Sequence, residues 1–377
     1  MAEKCYQMFL SGIRTEKTRE KYEYYLQRFL KETKLKNFTT LIELDDETRQ
    51  DIIEKYILFL KSRDLKRTSV RPVLYAIELF FDMNKKILHK TVLSKMVQGI
   101  PDHIKGGEKA YTDEDLRKML EKAPDSRSKA LIHFMASLGA RPGVIVDPIL
   151  TFGMTESMPL GCLAVHLYED SNQHYWGFLT PEATKALHEY RDDRIRDGEK
   201  LTRDSPVFRA DYNEIGQAPV KPLVENNAYQ IIDRIVKNSR IERIKIGNRY
   251  DKALNTAFRK RFNTIMKTID GVNINLAEKL MGHSVTIPLD NTYLNALKDK
   301  LFIEFKKAIP ELTIDNAKRL KFKNEEQSKK ISELEKEKQQ IAYMMKEQKQ
   351  SKKDIMTIIS NLKDEIETLK EKSDNSK

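Results

Sequence analysis

The chain has 377 residues with 68 basic against 57 acidic side chains, a formal charge of +11 and a pI near 9.2; that is too long for one ordinary core, so two domains with an appendage are expected. Two cysteines, Cys5 and Cys162, exclude a disulfide framework or a metal cage. No window reaches the roughly 18 to 20 apolar residues that span a bilayer, so no membrane contact and a reducing, cytoplasmic setting are expected. The basic surplus is +6 over residues 1–105, +2 over 106–312 and +3 over 313–377, which suits a polyanion partner through counterion release and suits plain solubility equally.

In chain order, Met8-Phe9-Leu10 is too short for the apolar core of a leader and is quickly followed by charges. Thr15 precedes Tyr22, Leu26, Phe29 and Leu30 at helical spacing. A second helix carries Ile52, Ile53, Tyr56, Ile57 and Leu60. A third, from about Thr68, carries Val70, Val73, Leu74, Ile77, Phe80 and Phe81, with Pro72 expected in its first turn. A fourth spans roughly Leu88 to Val97. Residues 1–100 therefore predict a helical bundle, its outward faces carrying Arg14, Lys17, Arg19, Lys61, Arg63, Lys66, Arg67 and Arg71. Residues 101–111 read as a linker rich in turn formers.

Thr112 and Asp115 form a capping-box signature, and an apolar helix over 126–138 runs into Gly139. Strand signal is confined to 163–168 and 175–179, a β-hairpin that leads into a helix opened by Thr180-Pro181. Helix dominates again to about 310. The fold class expected is thus mainly α, with a small β-hairpin or sheet in a mostly helical domain over 112–312. From roughly Leu320, within a segment 313–377, Ile331, Leu334, Ile341, Met345, Ile355, Ile359, Leu362, Ile366 and Leu369 follow a heptad seam. Lys338, Gln348 and Lys352 fill the other core slots, so a self-associating C-terminal coiled coil is expected, a lone solvated helix being the alternative.

Four residues carry the chemistry: Arg141 in Leu138-Gly-Ala-Arg-Pro-Gly143, Arg259 in Phe258-Arg-Lys-Arg-Phe262, His283 in Leu280-Met-Gly-His283, and Tyr293 ten positions on. Singly each has a plain reading. Phe258 and Phe262 sit one helical turn apart, as in any amphipathic helix, and Gly282-His283 suits a helix C-terminus. Together, two guanidinium forks, an imidazole and a phenol can break a phosphodiester, the forks gripping non-bridging oxygens bidentately.

This order and spacing resemble the tyrosine recombinases, the phage-integrase family, over about residues 1–312. The stretches Phe178-Leu-Thr-Pro-Glu-Ala183 and Lys307-Ala-Ile-Pro-Glu-Leu-Thr-Ile314 look like the archaeal branch. The resemblance implies a core-binding domain over 1–100, a catalytic domain over 112–312 and double-stranded DNA as partner. It also implies a tetramer on paired sites and no metal or other cofactor. Tyr293 would form a 3′-phosphotyrosyl link and release a 5′-hydroxyl, so that neither ATP nor metal is needed.

Three positions depart from the family. Thr256 stands where a histidine or lysine is usual, and Val144 where a glutamate is frequent. No lysine occurs between Gly161 and Lys185, Asn172 falling about where the family's hairpin lysine protonates the leaving oxygen. His174 is a candidate substitute, with a solvated turn histidine as its plain reading, and Lys200 and Lys221 lie on other loops whose reach spacing does not decide. These departures leave a second reading, a catalytically decayed relative that binds DNA as an architectural protein.

Overall fold

The computed structural model describes residues 4–102, 106–169, 173–210, 220–247, 249–283 and 298–374, the side chains of 326 and 369–374 excepted. Two compact units divide the chain: Met1–Gly106 with Lys245–Asp251, and Gly107–Ile244 with Lys252–Lys377.

The first unit packs α1 (Lys4–Ser11), α2 (Glu16–Thr33), α3 (Phe38–Glu43), α4 (Asp46–Ser62), α5 (Arg67–Met83) and α6 (Lys90–Gln98). Polar caps start three of them: Thr15, Asn37 and Asp45 accept from the amides of Thr18, Thr40 and Thr48. The core joins Phe9, Leu26, Phe29, Ile53, Ile57, Leu74, Ile77, Phe80 and Leu93. The four expected helices are present. The additional α1 and α3 are too short to show a period, and each is held by the side chain it buries, Phe9 or Leu41. Pro72 corrects one expectation. α5 begins at Arg67, which puts the proline in the second turn, where its missing N–H leaves the Thr68 carbonyl without its helical donor. Burial of Val70, Val73, Leu74, Ile77, Phe80 and Phe81 along that helix outweighs the loss. A short strand pair, β4 (Lys245–Ile246) and β5 (Arg249–Tyr250), belongs to this unit despite its distance in sequence.

The second unit is built around α8 (Ser126–Leu138), buried along nearly its whole length. Before it, α7 (Asp113–Lys122) opens on the Thr112–Asp115 capping box. The sheet runs β1 (Thr155–Met158), β2 (Cys162–Leu167), β3 (Tyr175–Leu179), all antiparallel. β1 was not expected, because Thr-Glu-Ser-Met offers almost no apolar alternation. Pleating sends Leu163, Val165, Leu167, Tyr175 and Leu179 toward the α8 core. Cys162, Ala164 and Phe178 face a second core with Phe262, Leu280, Phe302 and Phe305. The sheet lies so close to α8 that a Cβ on Gly177 would come within 2.5 Å of Leu138. The remaining helices are α9 (Pro181–Arg196), α10 (Glu225–Asn238), α11 (Thr256–Thr268), α12 (Ile274–Leu280), α13 (Lys298–Leu312) and α14 (Asn316–Asp374). The chain is mainly α with a small sheet, as its sequence implies. No described helix is long and apolar enough to cross a membrane.

Candidate active site

The end of α8 places Arg141. Gly139 adopts φ +55° and caps the helix, and a Cβ there would sit 2.4 Å from Phe262, so the turn demands glycine. Ala140 is buried and Arg141 emerges exposed at the start of a 3-10 turn, Pro142–Ile145.

Arg259 lies in the first turn of α11. Phe258 and Phe262 anchor that helix in the two cores and leave the guanidinium half-buried between the ends of α8 and α12. Its Nη1 donates to the Gly139 carbonyl (2.9 Å). Nη2 donates to the Met281 carbonyl (2.7 Å) and faces His283 Nε2 at 2.6 Å. One side chain thus ties together the turn carrying Arg141 and the turn carrying His283.

α12 ends in a Schellman motif: Gly282 has φ +63°, its amide donates to Lys279, and the His283 amide donates to Glu278 (3.0 Å). A Cβ on Gly282 would lie 2.4 Å from the Tyr175 ring. The turn folds His283 back over α12, so that Nδ1 meets Glu278 Oε2 at 2.6 Å. A guanidinium has no acceptor, so Nε2 accepts from Arg259 and the ring proton is on Nδ1, donated to Glu278. Burial pushes the Glu278 carboxyl up, but hydrogen bonds from Lys267 and His283 outweigh this and hold it below the usual range.

Two further phenols border the cluster. Tyr175, at the start of β3, lies beside Arg259; burial pushes its pKa up to about 12, against the lowering effect of Arg259 and Arg141, so it is neutral near pH 7. Tyr168 closes β2 with a left-handed backbone (φ +55°), and burial raises its pKa while the charges of Arg141 and Arg259 oppose the rise. Burial lowers the proton affinity of Arg259 and the neighbouring charge of Arg141 lowers it further, though a guanidinium stays charged throughout. Among the described residues, neither arginine has a carboxylate at ion-pair distance, which leaves two adjacent cations suited to an anion.

Three of the four sequence-derived residues, Arg141, Arg259 and His283, therefore share one site. Tyr293 lies outside the described residues, as does Asn172 of the hairpin. Glu278, Tyr168 and Tyr175 were missed. Only a glycine-turned histidine five residues past an acid could have pointed to Glu278. His174 faces away from this cluster: its Nδ1 lies 3.4 Å from His166 Nε2, and His166 stacks on Trp176 (centroids 4.4 Å apart), on the sheet face opposite Tyr175. Thr256 is exposed at the start of α11 and Val144 is buried. Among the described residues no group of three His, Cys, Asp or Glu is placed to hold a metal ion.

The first unit presents a second candidate surface. A groove between α5 and α6 is lined by Arg67, Arg71, Tyr75, Lys90 and Lys95. The Arg71 guanidinium lies 5.4 Å from the Tyr75 ring centroid.

No protein-family model matches the chain, and no curated protein does. Solved structures that resemble it are those of recombinases and integrases. The XerA recombinase is 17% identical with a TM-score of 0.36, covering 80% of this chain and 95% of that one. The XerH site-specific recombinase bound to difH is 16% identical with a TM-score of 0.45, covering 74% of each. The Tn1549 transposon integrase with transposon right-end DNA is 13% identical with a TM-score of 0.48, covering 80% of this chain and 98% of that one.

Proposed function

We propose that the protein is a tyrosine-type site-specific DNA recombinase or integrase that cuts and rejoins double-stranded DNA through a 3′-phosphotyrosyl intermediate. The observation that carries this reading is the pair Arg141 and Arg259, two cations with no carboxylate at ion-pair distance among the described residues, one of them fixed by backbone carbonyls beside His283. A phosphodiester brings the negative charge the pair lacks, and its non-bridging oxygens accept the guanidinium N–H groups. Tyr293 is the attacking phenol. Its oxygen replaces the 5′-oxygen on phosphorus, the phenol proton leaves, and the departing oxygen gains one. His283 Nε2 is the neutral acceptor in the cluster and takes that first proton once Arg259 turns its N–H to the phosphate. The imidazolium, held by Glu278, keeps that proton as a hydrogen-bond donor to a non-bridging oxygen, and the departing 5′-oxygen takes its proton from water. No metal or nucleotide enters these steps. The basic groove of the first unit supports phosphate contacts that set register on the duplex, and the working assembly is a tetramer on paired DNA sites.

The test is covalent capture from a pool of nicked duplexes of randomised sequence. Wild type traps a protein–DNA adduct and Tyr293→Phe traps none; equal trapping by both overturns the proposal. A second reading, DNA binding without cleavage, is favoured by Thr256 and by His174 facing away from the arginines. Shifted mobility of the duplex with no adduct at any enzyme concentration selects it.

A further inference from the structure

α14 is one helix of 59 residues. Its first turns are pinned to the second unit: Arg319 pairs with Asp113 (2.6 Å) and Lys323 with Glu311 (2.6 Å). Beyond them the helix carries an unpartnered seam. Ile331, Leu334, Ile341, Met345, Ile355, Ile359, Leu362 and Ile366 are each between 49% and 65% exposed. An apolar stripe of that length marks a surface for a partner.

We propose that a second copy of this helix covers the seam, running antiparallel, with its centre at residue 350. Ile331, Lys338, Met345, Lys352, Ile359 and Ile366 are the a positions; Leu334, Ile341, Gln348, Ile355 and Leu362 are the d positions. A closed twofold pair of identical helices is either parallel in register or antiparallel about one point. Parallel pairing sets every core residue against its own copy. Lys338 then meets Lys338, Lys352 meets Lys352, and two layers of like charge are buried.

Antiparallel pairing about residue 350 sorts the same residues by kind. Leu334 faces Ile366, Ile341 faces Ile359, Met345 faces Ile355, and Gln348 faces Lys352. Only Lys338 meets an apolar residue, Leu362, and its stem can lie along that side chain while the ammonium reaches water. Moving the centre by half a heptad in either direction sets Lys352 against Ile341 or Ile355, and Gln348 against Met345 or Ile359. The flanks agree. Met344 and Ile358, both exposed at g positions, lie beside each other in the antiparallel pair but beside Lys349 and Lys363 in the parallel one. The parallel pair gains Lys330–Glu335 and Glu365–Lys370 rim contacts, and the antiparallel pair sets Glu337 beside Glu365 but Glu335 beside Lys363; such rim contacts are weak. At about 1.5 Å per residue, the antiparallel arrangement holds the two helix starts about 100 Å apart. A single coil thereby bridges two well-separated catalytic units.

The test uses the full chain with Cys5→Ser and Cys162→Ala, without DNA, so its result is independent of the recombinase reading. Mixing a Leu334→Cys protein with an Ile366→Cys protein under oxidation is expected to give a disulfide-linked dimer, and neither alone to give one. Cross-linking of Ile366→Cys alone overturns the proposal in favour of the parallel pair. In case the core cysteines disturb packing, a label on Lys321→Cys, an exposed position, reports the orientation separately. A separation beyond about 80 Å is expected from the helical rise; about 10 Å between axes, as in a parallel pair, or a monomer at all concentrations overturns it.

Discussion

Arg259 and Arg261 leave α11 two residues apart and meet opposite surroundings. Arg261 is almost wholly buried, and every direction it points in holds an acceptor: Asp113 at 2.6 Å and the carbonyls of Glu311 and Leu312. Arg194 in the same unit is similar, gripped by both oxygens of Glu199 and by two carbonyls. Burial pushes the Asp113 carboxyl up, yet hydrogen bonds from Arg319 and Arg261 hold it below the usual range. These are closed clamps, whose charge is neutralised inside the protein. Among the described residues Arg259 has carbonyls, an imidazole and a phenol, with Arg141 rather than a carboxylate beside it. A buried arginine is therefore not in itself a sign of function. What separates the two regions is whether the protein supplies the counter-charge or leaves it to a ligand.

Substitution should separate them most strongly in catalysis. Arg259→Ala is expected to lower DNA cleavage by about 10²- to 10³-fold, as for loss of one transition-state donor, at a stability cost of about 1–2 kcal/mol from the stranded carbonyls. Single-turnover cleavage and urea unfolding on the same sample check both halves. Arg261→Ala reverses the pattern. Removing one partner of a buried pair should cost about 3–5 kcal/mol, seen as a lower unfolding midpoint, with cleavage per folded molecule little changed. If the two variants behave alike, the distinction fails.

His283 is turned outward to the site, whereas His133 is enclosed in α8. Burial, with a smaller contribution from the charge of Lys318, lowers the His133 pKa to about 4, below its value in the unfolded chain. The unfolded state then binds the extra proton. Stability is complete above about pH 6.5 and falls toward pH 4, by up to about 3 kcal/mol. Unfolding midpoints measured across that range should flatten in His133→Leu; an unchanged slope would assign the dependence to other groups. The smallest effect belongs to Glu278→Gln. It loosens the hold on the Nδ1 proton of His283 and is expected to slow cleavage about tenfold while leaving Arg259 in place, which the pH–rate profile of the variant would reveal.

Local chemistry carried most of what the sequence disclosed. The Thr112–Asp115 box, the stop at Gly139 and the Thr180-Pro181 start each lie within one turn of the element they define. Phe258 and Phe262 entered the core at the expected helical spacing. Gly282-His283 closes α12 as its helix C-terminus reading implied, and the same Schellman turn swings the imidazole onto Glu278. What escaped was fixed by contacts distant in sequence. β1 is a strand because β2 pairs with it through Thr155–Val165 and Met158–Cys162, not because of its own residues. Tyr175 reads as an ordinary strand aromatic until the pleat directs it to Arg259, 84 positions later in the chain. The same pleat turns His174 away, which spacing alone could not reveal.

Arg141, Arg259 and His283 are proposed to serve a phosphodiester attacked by Tyr293. Proteolysis of the trapped protein–DNA adduct, followed by mass mapping of the nucleotide-bearing peptide, tests this most directly. The nucleotide is expected on the phenol of Tyr293. Attachment at Tyr168 or Tyr175, the phenols that border the cluster, would contradict that role.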